Sequence, residues 1–328
     1  MTHSTIEMTN FNYGKSDLEA ARILDSFIPD KLFDAHMHIS NKPIMGKEIA
    51  TFDEYKENMK ILVGERKLLA NMIPFPTSDI KTREERYESL AFLSDALSKN
   101  EGCVGEILIL PEDSPEYIES QLSNGKIRGL KCYHTYAKRP DTFNAGIEEY
   151  LPESAWELAN QRGLAITLHM VRTYALADNA NRNYIKTMAK KYPNAKLILA
   201  HAARAFAAWT AIEYIDELRQ YENIFCDFSG ICESPAMVKI IRSFGTGRCM
   251  FGTDWPVSML AGKAISIADT FYWISEGDLR SFKSSTPLNT RLVGTESLMA
   301  LREACILTEL SPLGIEDLFY NTAYSLFR

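Results

Sequence analysis

Five of the six histidines in this chain share one kind of position. Each lies at, or within three residues of, the end of a short apolar run: His36, His38, His134, His169 and His201. In a parallel α/β barrel, the carboxyl ends of the strands form the face on which active sites are built. Histidines that serve only as surface polar residues would fall mostly on helices and loops. The placement therefore predicts a site in which imidazoles meet, with metal binding or proton transfer as its chemistry.

The first of these histidines form a pair in the segment FDAHMHI, which contains His36 and His38. Because the side chains of a strand repeat every two residues, both imidazoles are expected on the same side of the strand. Two imidazoles side by side at a strand end can share one metal ion. Taken alone, the pair is also compatible with two hydrogen-bonded histidines that bind nothing.

Three further strand ends carry side chains suited to metal binding or proton transfer. His169 ends the run ITLH, His201 ends LILAH, and Asp254 follows the last run in FGTDWP. An aspartate directly after an apolar strand, with proline two residues on, can project its carboxylate into the mouth of a barrel. Singly, each histidine could be a hydrogen-bonded strand end, and Asp254 could cap the following turn. The joint order and spacing favour one shared site.

Three cationic residues lie close to the same strand ends: Lys131, Arg172 and Arg204. A guanidinium binds a carboxylate through two parallel hydrogen bonds, so these residues predict a carboxylate-bearing substrate. His134, at the end of the fourth run, is a further candidate for substrate binding. The alternative, in which the cations pair with local Asp or Glu residues, is nearly as good. Glu106 and Asp227 are also candidates to face the barrel interior.

The elements that would position these side chains alternate along the chain. Eight apolar runs are predicted as strands: Leu32–Ile39, Leu68–Ile73, Val104–Leu110, Ile127–Tyr133, Leu164–Met170, Leu197–Ala202, Ile224–Phe228 and Cys249–Gly252. Helices are predicted between them: Arg83–Ser98, Pro115–Ser123, Glu153–Arg162, Asn181–Tyr192, Ala205–Tyr221 and Pro235–Phe244. The alternation predicts an α/β fold, a (β/α)8 TIM barrel. A doubly wound sheet alternates in the same way, but the chain has neither GxGxxG after its first strand nor a Walker A sequence.

The predicted domain organisation follows from the strand positions. Residues 1–30 precede the first strand as an N-terminal extension, helical or irregular, and residues 31–328 form the barrel. One α/β barrel commonly takes this length. Residues 255–313 form a long insertion after the last strand. Because structureless loops of this length are rare in compact domains, we expect an ordered cap or lid.

The composition argues against several classes of function. The formal net charge is −7 and no Lys/Arg cluster is present, so nucleic acid and anionic membrane surfaces are poor partners. The amino terminus lacks a secretory apolar segment, and no stretch resembles a membrane span. The six cysteines are scattered without a CxxC pair, so neither disulfides nor a Cys-based zinc site is expected. We predict a cytoplasmic protein acting on a small molecule, with homo-oligomer formation left open.

Together these motifs resemble the amidohydrolase superfamily, and most closely its amidohydrolase-2 branch. That branch includes decarboxylases of aminocarboxymuconate semialdehyde and resorcylate type, lactone hydrolases and hydratases. The similarity extends over about residues 31–328 and rests on FDAHMH, GLKCYH, ITLHM, LILAHAAR, FGTDWP and the closing NTAYSLF. These marks are specific for the superfamily and weak for the substrate.

The resemblance implies one divalent metal ion, usually zinc, with manganese or iron as alternatives. Its ligands would be His36, His38, His169 and Asp254, with a water molecule completing the shell. His201 would then be the acid/base residue hydrogen-bonded to that water. In the predicted hydrolysis, Asp254 or His201 takes the proton of the attacking water. A metal with an open position lowers the pKa of bound water and polarises a substrate oxygen. A neighbouring imidazole can take and return the proton.

Two segments depart from the family pattern. Residues 201–204 read HAAR where the family often has His-x-Gly-Gly, and residues 131–134 read KCYH where it often has Lys-x-His-Pro. In some branches a lysine on the fourth strand is carbamylated and bridges two metal ions. Lys131 is left open as such a bridge, although a structural or substrate-binding lysine is favoured.

The function predicted from these residues is hydrolysis of an amide, ester or lactone bond in a small carboxylate-bearing molecule. A non-oxidative decarboxylase using the same metal site is the first alternative. A catalytically silent binding barrel is the second, and the retained set of ligand residues argues against it.

Overall fold

A barrel of eight parallel strands forms the centre of the computed structural model, which describes residues 13–77, 82–281 and 289–328. In chain order the strands are β1 (Lys31–Ile39), β2 (Lys67–Pro74), β3 (Val104–Leu108), β4 (Ile127–Cys132), β5 (Ala165–Leu168), β6 (Lys196–Leu199), β7 (Ile224–Asp227) and β8 (Cys249–Met250). Each strand pairs with the next one along the chain. The segment after β8 returns to β1, where the His38 amide donates to the Trp255 carbonyl at 2.8 Å. The predicted (β/α)8 barrel is confirmed.

The strands are as apolar as their position requires. In β1 every residue except Lys31 is buried, because parallel strands are covered by helices on one face and by the barrel interior on the other. Side chains such as Leu32, Ile39 and Leu130 are almost fully withdrawn from water. Burial of one such side chain contributes about 1.5–3 kcal/mol to folding.

Helices connect the strands and cover the barrel. They span Lys15–Leu24, Phe52–Val63, Arg83–Lys99, Pro115–Gln121, Glu153–Arg162, Asn179–Lys191, Trp209–Tyr214, Ser234–Phe244, Glu276–Ser281, Val293–Leu307, Pro312–Glu316 and Thr322–Leu326. Local signals explain several ends. The Thr82 hydroxyl accepts from the Glu85 amide at the start of one helix, and Gly163, with φ of 66°, ends another in the left-handed region. The predicted helix Glu153–Arg162 has these bounds.

Two predictions need correction after β6. The strand ends at Leu199 rather than Ala202, and the α-helix begins at Trp209 rather than Ala205 and ends at Tyr214. The reason is a left-handed turn over residues 201–204, in which all four φ angles are positive. This conformation can continue neither a strand nor a right-handed helix. The helix Phe52–Val63 was also missed, although Thr51 caps it and its buried residues recur at helical spacing.

The insertion after β8 is ordered over much of its length. It contains an antiparallel hairpin formed by β9 (Gly262–Ile267) and β10 (Thr270–Ser275). At the tip, the Trp209 indole donates to the Asp269 carbonyl at 3.0 Å and the Tyr174 hydroxyl donates to the Asp269 carboxylate at 2.9 Å. The hairpin therefore lies over the loops that follow β5 and β6, which agrees with the predicted cap. Residues 282–288 of the same insertion lie outside the described part of the chain.

The predicted N-terminal extension is described from Tyr13 onward, and residues 1–12 lie outside the described part. Its helix Lys15–Leu24 contacts the helices Phe52–Val63 and Val293–Leu307. The Asp17 carboxylate accepts from the Leu292 amide at 2.9 Å. All six cysteines are buried free thiols. Among the described residues, no helix is both long and apolar enough to cross a membrane.

Candidate active site

His36 and His38 meet at the carboxyl end of β1. Both side chains are buried, and their ring centroids are 5.0 Å apart. The pairing register of β1 with β2 shifts between Asp34 and Met37, which places His36 at a local irregularity of the strand. Gly252 lies directly against His36, since a Cβ atom there would come within 3.1 Å of the His36 Cβ. The closing segment after β8 can approach β1 this closely only because this residue is glycine.

The hydrogen bonds of the two imidazoles define which nitrogen carries the proton. His36 Nδ1 lies 3.1 Å from the Asp227 carboxylate, and His38 Nδ1 lies 3.2 Å from the Ile73 carbonyl oxygen. Because carboxylate and carbonyl oxygens only accept, Nδ1 is the donor in both rings. Each Nε2 is then left with its lone pair. Histidines that bind metals in proteins are oriented in this way.

His201 follows β6 and has the same orientation. Its Nδ1 donates to the Ser229 carbonyl oxygen at 3.0 Å, and its ring centroid is 5.0 Å from that of His36. The Asp227 carboxylate accepts from the His201 amide at 3.1 Å, so one carboxylate of β7 orients both histidines. His36, His201 and Asp254 each offer a ligand atom within 4.8 Å of the others.

Asp254 is held in the mouth by its backbone. Its φ of 57° is left-handed, and its amide donates to the His36 carbonyl at 2.7 Å. The preceding Thr253 is fixed by Asp34, whose carboxylate accepts from both the amide and the hydroxyl of Thr253. As a result, Asp254 Oδ1 lies 3.1 Å from His38 Nε2 and 3.7 Å from His36 Nε2.

The electrostatics favour neutral imidazoles around an ionised carboxylate. Burial, with the charge of Lys131 adding to it, lowers the pKa of His36 to about 3. Burial also lowers the pKa of His38. For Asp254 burial acts in the opposite direction, but the neighbouring histidines outweigh it and lower the pKa of this carboxyl to about 2. Neutral imidazole and ionised carboxylate are the forms that bind metal ions.

This arrangement fits a divalent cation. His38 Nε2 and Asp254 Oδ1 are 3.1 Å apart, although both are acceptors once His38 Nδ1 carries the proton. Two lone pairs at this distance repel each other unless a cation or a proton lies between them. His169 Nδ1 is also buried with no hydrogen-bond partner among the described residues. Buried polar atoms of this kind are rare unless something absent from the protein chain satisfies them.

His169 and His134 lie on the neighbouring side of the mouth, after β5 and β4. Their ring centroids are 5.5 Å apart, and His169 is 5.2 Å from His201. His169 is therefore beside the group of His36, His201 and Asp254 rather than within it. Burial, and after it the neighbouring charges, lower the pKa of His169 well below its ordinary value.

Lys131 does not lie at the rim but inside the barrel. It is fully buried on β4, and its Nζ is 3.1 Å from His36 Nε2. Glu106 on β3 is also fully buried, and it accepts from Asn71 Nδ2 at 2.9 Å and from Thr167 Oγ1 at 2.8 Å. Burial raises the pKa of Glu106 to about 7. Lys131 thus contacts the histidine group directly, whereas Glu106 is held by Asn71 and Thr167.

The two arginines differ sharply in their surroundings. Arg172 is ion-paired with Asp178 at 3.3 Å. Arg204 donates to the Arg172 carbonyl oxygen at 3.1 Å, and its guanidinium lies 5.2 Å from the centre of the Phe271 ring. Among the described residues, no carboxylate lies within ion-pair distance of Arg204. Of the two, Arg204 is the one whose charge no carboxylate of the described residues compensates.

Several residues of the site were not singled out from the sequence. Ser229 links Asp227 to His36 and His201, Asp34 fixes Thr253, and Phe206 packs against the His201 ring at 5.7 Å. Asp34 stands within the FDAHMH segment, so proximity to the histidines was a signal for it. Ser229 and Phe206 carry no comparable signal, because their roles depend on which loops meet.

Fold and site together define a barrel enzyme of the metal-dependent hydrolase type. A family model described as amidohydrolase (Amidohydro_2) matches residues 33–282, which is well over half of the chain. The chain belongs to the amidohydrolase family, so the resemblance predicted from its motifs is confirmed.

Comparisons with individual proteins give the same family relationship. The L-fucono-1,5-lactonase of Burkholderia ambifaria is 26% identical over 195 residues, which cover 53% of this chain and 63% of the lactonase. The match thus spans less than two thirds of the lactonase. A zinc-bound amidohydrolase from Burkholderia multivorans has a TM-score of 0.58 at 14% identity and covers 90% of this chain and 99% of that one. A manganese-bound dihydroxybenzoic acid decarboxylase from Polaromonas sp. JS666 has a TM-score of 0.54 at 13% identity, with 90% and 96% covered.

Proposed function

We propose that the protein is a metal-dependent hydrolase that cleaves an ester, lactone or amide bond in a small carboxylate-bearing molecule. The observation that carries the proposal is the 3.1 Å approach of His38 Nε2 to the ionised Asp254 carboxylate, beside His36 and His201. A barrel that binds nothing, or a histidine pair with a purely structural role, gives no reason for the lone pair of His38 Nε2 to face a carboxylate. The lactonase of Burkholderia ambifaria supports the choice of a lactone among these bonds.

The proposed metal ligands are His36, His38, His169 and Asp254, with zinc as the expected ion. Such an ion supplies Lewis acidity, which polarises a substrate carbonyl and lowers the pKa of a water molecule. His201 is the proposed acid/base residue. Because its Nδ1 donates to the Ser229 carbonyl, its Nε2 can take a proton from water and return it to the leaving oxygen or nitrogen. Asp254 is the second candidate for the same proton.

The proposed substrate carboxylate would be bound by Arg204. A partly buried guanidinium without a carboxylate partner among the described residues is costly, and a substrate anion would compensate its charge. His134 and Arg172, whose carbonyl oxygen accepts from Arg204, are the further proposed contacts of this carboxylate. Lys131 would act on the substrate only indirectly, since its fully buried amine contacts His36 Nε2.

The first experiment is the metal content per chain, measured by elemental mass spectrometry on protein purified without added metal. About one zinc or manganese ion per chain supports the proposal, and about two would make Lys131 the carbamylated bridge. The absence of metal, together with no activity on a lactone panel after metal is added, would overturn the proposal. A His201→Asn variant tests the division of roles, because loss of turnover with retained metal identifies a proton carrier and loss of metal identifies a ligand.

Product analysis separates hydrolysis from decarboxylation, which the same site could support. Incorporation of oxygen from labelled water into a carboxylate product supports the hydrolase. Release of carbon dioxide without such incorporation would replace it with the decarboxylase. The cytoplasmic location and the division at residue 30 stay predictions.

A further inference from the structure

The hairpin β9–β10 places an aromatic face against the loop that follows β6. Phe271 and Trp273 alternate with Tyr272 along β10, so they lie on the same side of the strand. Their ring centroids are 4.8 and 5.2 Å from that of Phe206. Tyr272, on the other side, is 44% exposed. The inner face of the hairpin is therefore part of the wall beside His201.

Arg204 is held between this face and the β5 loop. One guanidinium nitrogen donates to the Arg172 carbonyl at 3.1 Å, and the guanidinium carbon is 5.2 Å from the centre of the Phe271 ring. A guanidinium over an aromatic face is attracted by the ring quadrupole, and more so where water is excluded. The ring leaves the remaining N–H donors of Arg204 uncommitted, whereas a carboxylate partner would occupy them.

Three other arginines of the described chain are paired with carboxylates instead. Arg172 is paired with Asp178, Arg139 with Glu149, and Arg86 with Asp113. A carboxylate that binds one of these side chains must displace an existing partner. Phe271 orients Arg204 without competing for its hydrogen bonds, which is the property that a recognition arginine needs.

We propose that Phe271 is a positioning residue, which holds the Arg204 guanidinium ready for a substrate carboxylate and makes the hairpin β9–β10 a determinant of carboxylate selectivity. The inference rests on the proposed function, since it takes Arg204 as the carboxylate-binding residue. It goes further by assigning part of that selectivity to a hairpin that contributes no ligand and no proton carrier.

The test compares benzoate with benzamide, its neutral analogue, by isothermal titration calorimetry on the full-length protein. Phe271→Leu keeps an apolar side chain but removes the ring, and it is expected to weaken benzoate binding about three- to tenfold while leaving benzamide binding unchanged. Phe271→Trp keeps an aromatic face and is expected to restore benzoate affinity. Tyr272→Leu, on the outer side of the same strand, is the matched control and should bind both ligands like the wild type.

The outcomes separate this inference from the proposed function. Equal weakening of benzoate and benzamide by Phe271→Leu, or no weakening of benzoate, would overturn the positioning role. If Arg204→Gln binds benzoate as well as the wild type does, the assignment of Arg204 as the carboxylate-binding residue is wrong, and with it that part of the proposed function. The same holds if the wild type prefers benzamide or binds neither ligand. Loss of benzoate binding in Arg204→Gln, with normal binding in Phe271→Leu, would leave the proposed function intact and remove only the hairpin from it.

Discussion

The two sides of the barrel mouth differ in whether their charged and polar groups have partners within the chain. On the side of β1, β7 and β8 the ionisable side chains contact one another or a neighbour: His36 contacts Asp227 and, from β4, Lys131, and His38 Nε2 faces the Asp254 carboxylate. On the side of β5, β6 and the hairpin, His169 Nδ1 has no partner among the described residues, and Arg204 has no carboxylate there. The first side is positioned by contacts within the chain, and the facing pair of His38 and Asp254 is where a cation fits. On the second side, Arg204 would be completed by a substrate anion and His169 by the proposed metal ion.

The largest effect is expected on the side of β1, β7 and β8, from Asp254→Asn. Loss of the carboxylate removes both a proposed metal ligand and a candidate proton acceptor, so turnover should fall by about a thousandfold or more. Steady-state kinetics and metal content measure the change, and thermal unfolding should show that the barrel stays folded. Asp227→Asn, which acts only through His36 and His201, should cost less, about 10–100-fold. Full activity in Asp254→Asn would break the comparison.

A second prediction concerns stability in the barrel interior, at Glu106 on β3. The pKa of Glu106 in the folded chain is about 7, above its ordinary value of 4.5, so the folded state keeps a proton that the unfolded chain loses. Its contribution to stability is therefore full below pH 4.5 and is lost as the pH rises through 7. Glu106→Gln mimics the protonated form at every pH. Relative to the wild type, its free energy of unfolding should therefore rise by up to about 3 kcal/mol between pH 4 and pH 8. Urea unfolding at both pH values measures this gain, and a difference that does not change with pH would refute it.

On the side of β5, β6 and the hairpin, Arg204→Gln should raise KM for a carboxylate substrate by about 10–100-fold with a smaller change in kcat. The matched variant Arg172→Gln should change KM less, since Arg172 is already paired with Asp178. Steady-state kinetics on the first substrate found will measure both. Equal effects of the two variants would show that the contrast between these arginines has no functional meaning.

The smallest effect is expected from the left-handed turn that carries His201. Ala203 has φ of 62° and Ala205 has φ of −80°, and both are buried. Replacing either by glycine removes one buried methyl group and adds the same chain flexibility, so the two variants differ mainly in backbone strain. Ala203→Gly should be more stable than Ala205→Gly by about 1–2 kcal/mol in the free energy of unfolding. Equal stabilities would mean that the turn is not strained.

Much of the barrel and of the arrangement around His36, His38 and Asp254 could be predicted from local patterns. The alternation of apolar runs and helices determined the barrel, and the spacing of His36 and His38 determined that both face one side. Asp254 was recognisable because it follows the last apolar run directly. These features depend on residue order along one element, and the strand period of two residues is enough to read them.

The tertiary structure alone decided the rest. It places His201, rather than His169, within reach of both His36 and Asp254, because the turn after β6 is left-handed in spite of its alanines. It also pairs Arg172 with Asp178 and leaves Arg204 without a carboxylate partner in the part of the chain that the structure describes. Which side chain faces which depends on loops that are far apart in the chain, and their approach is decided by packing, which a sequence pattern does not encode.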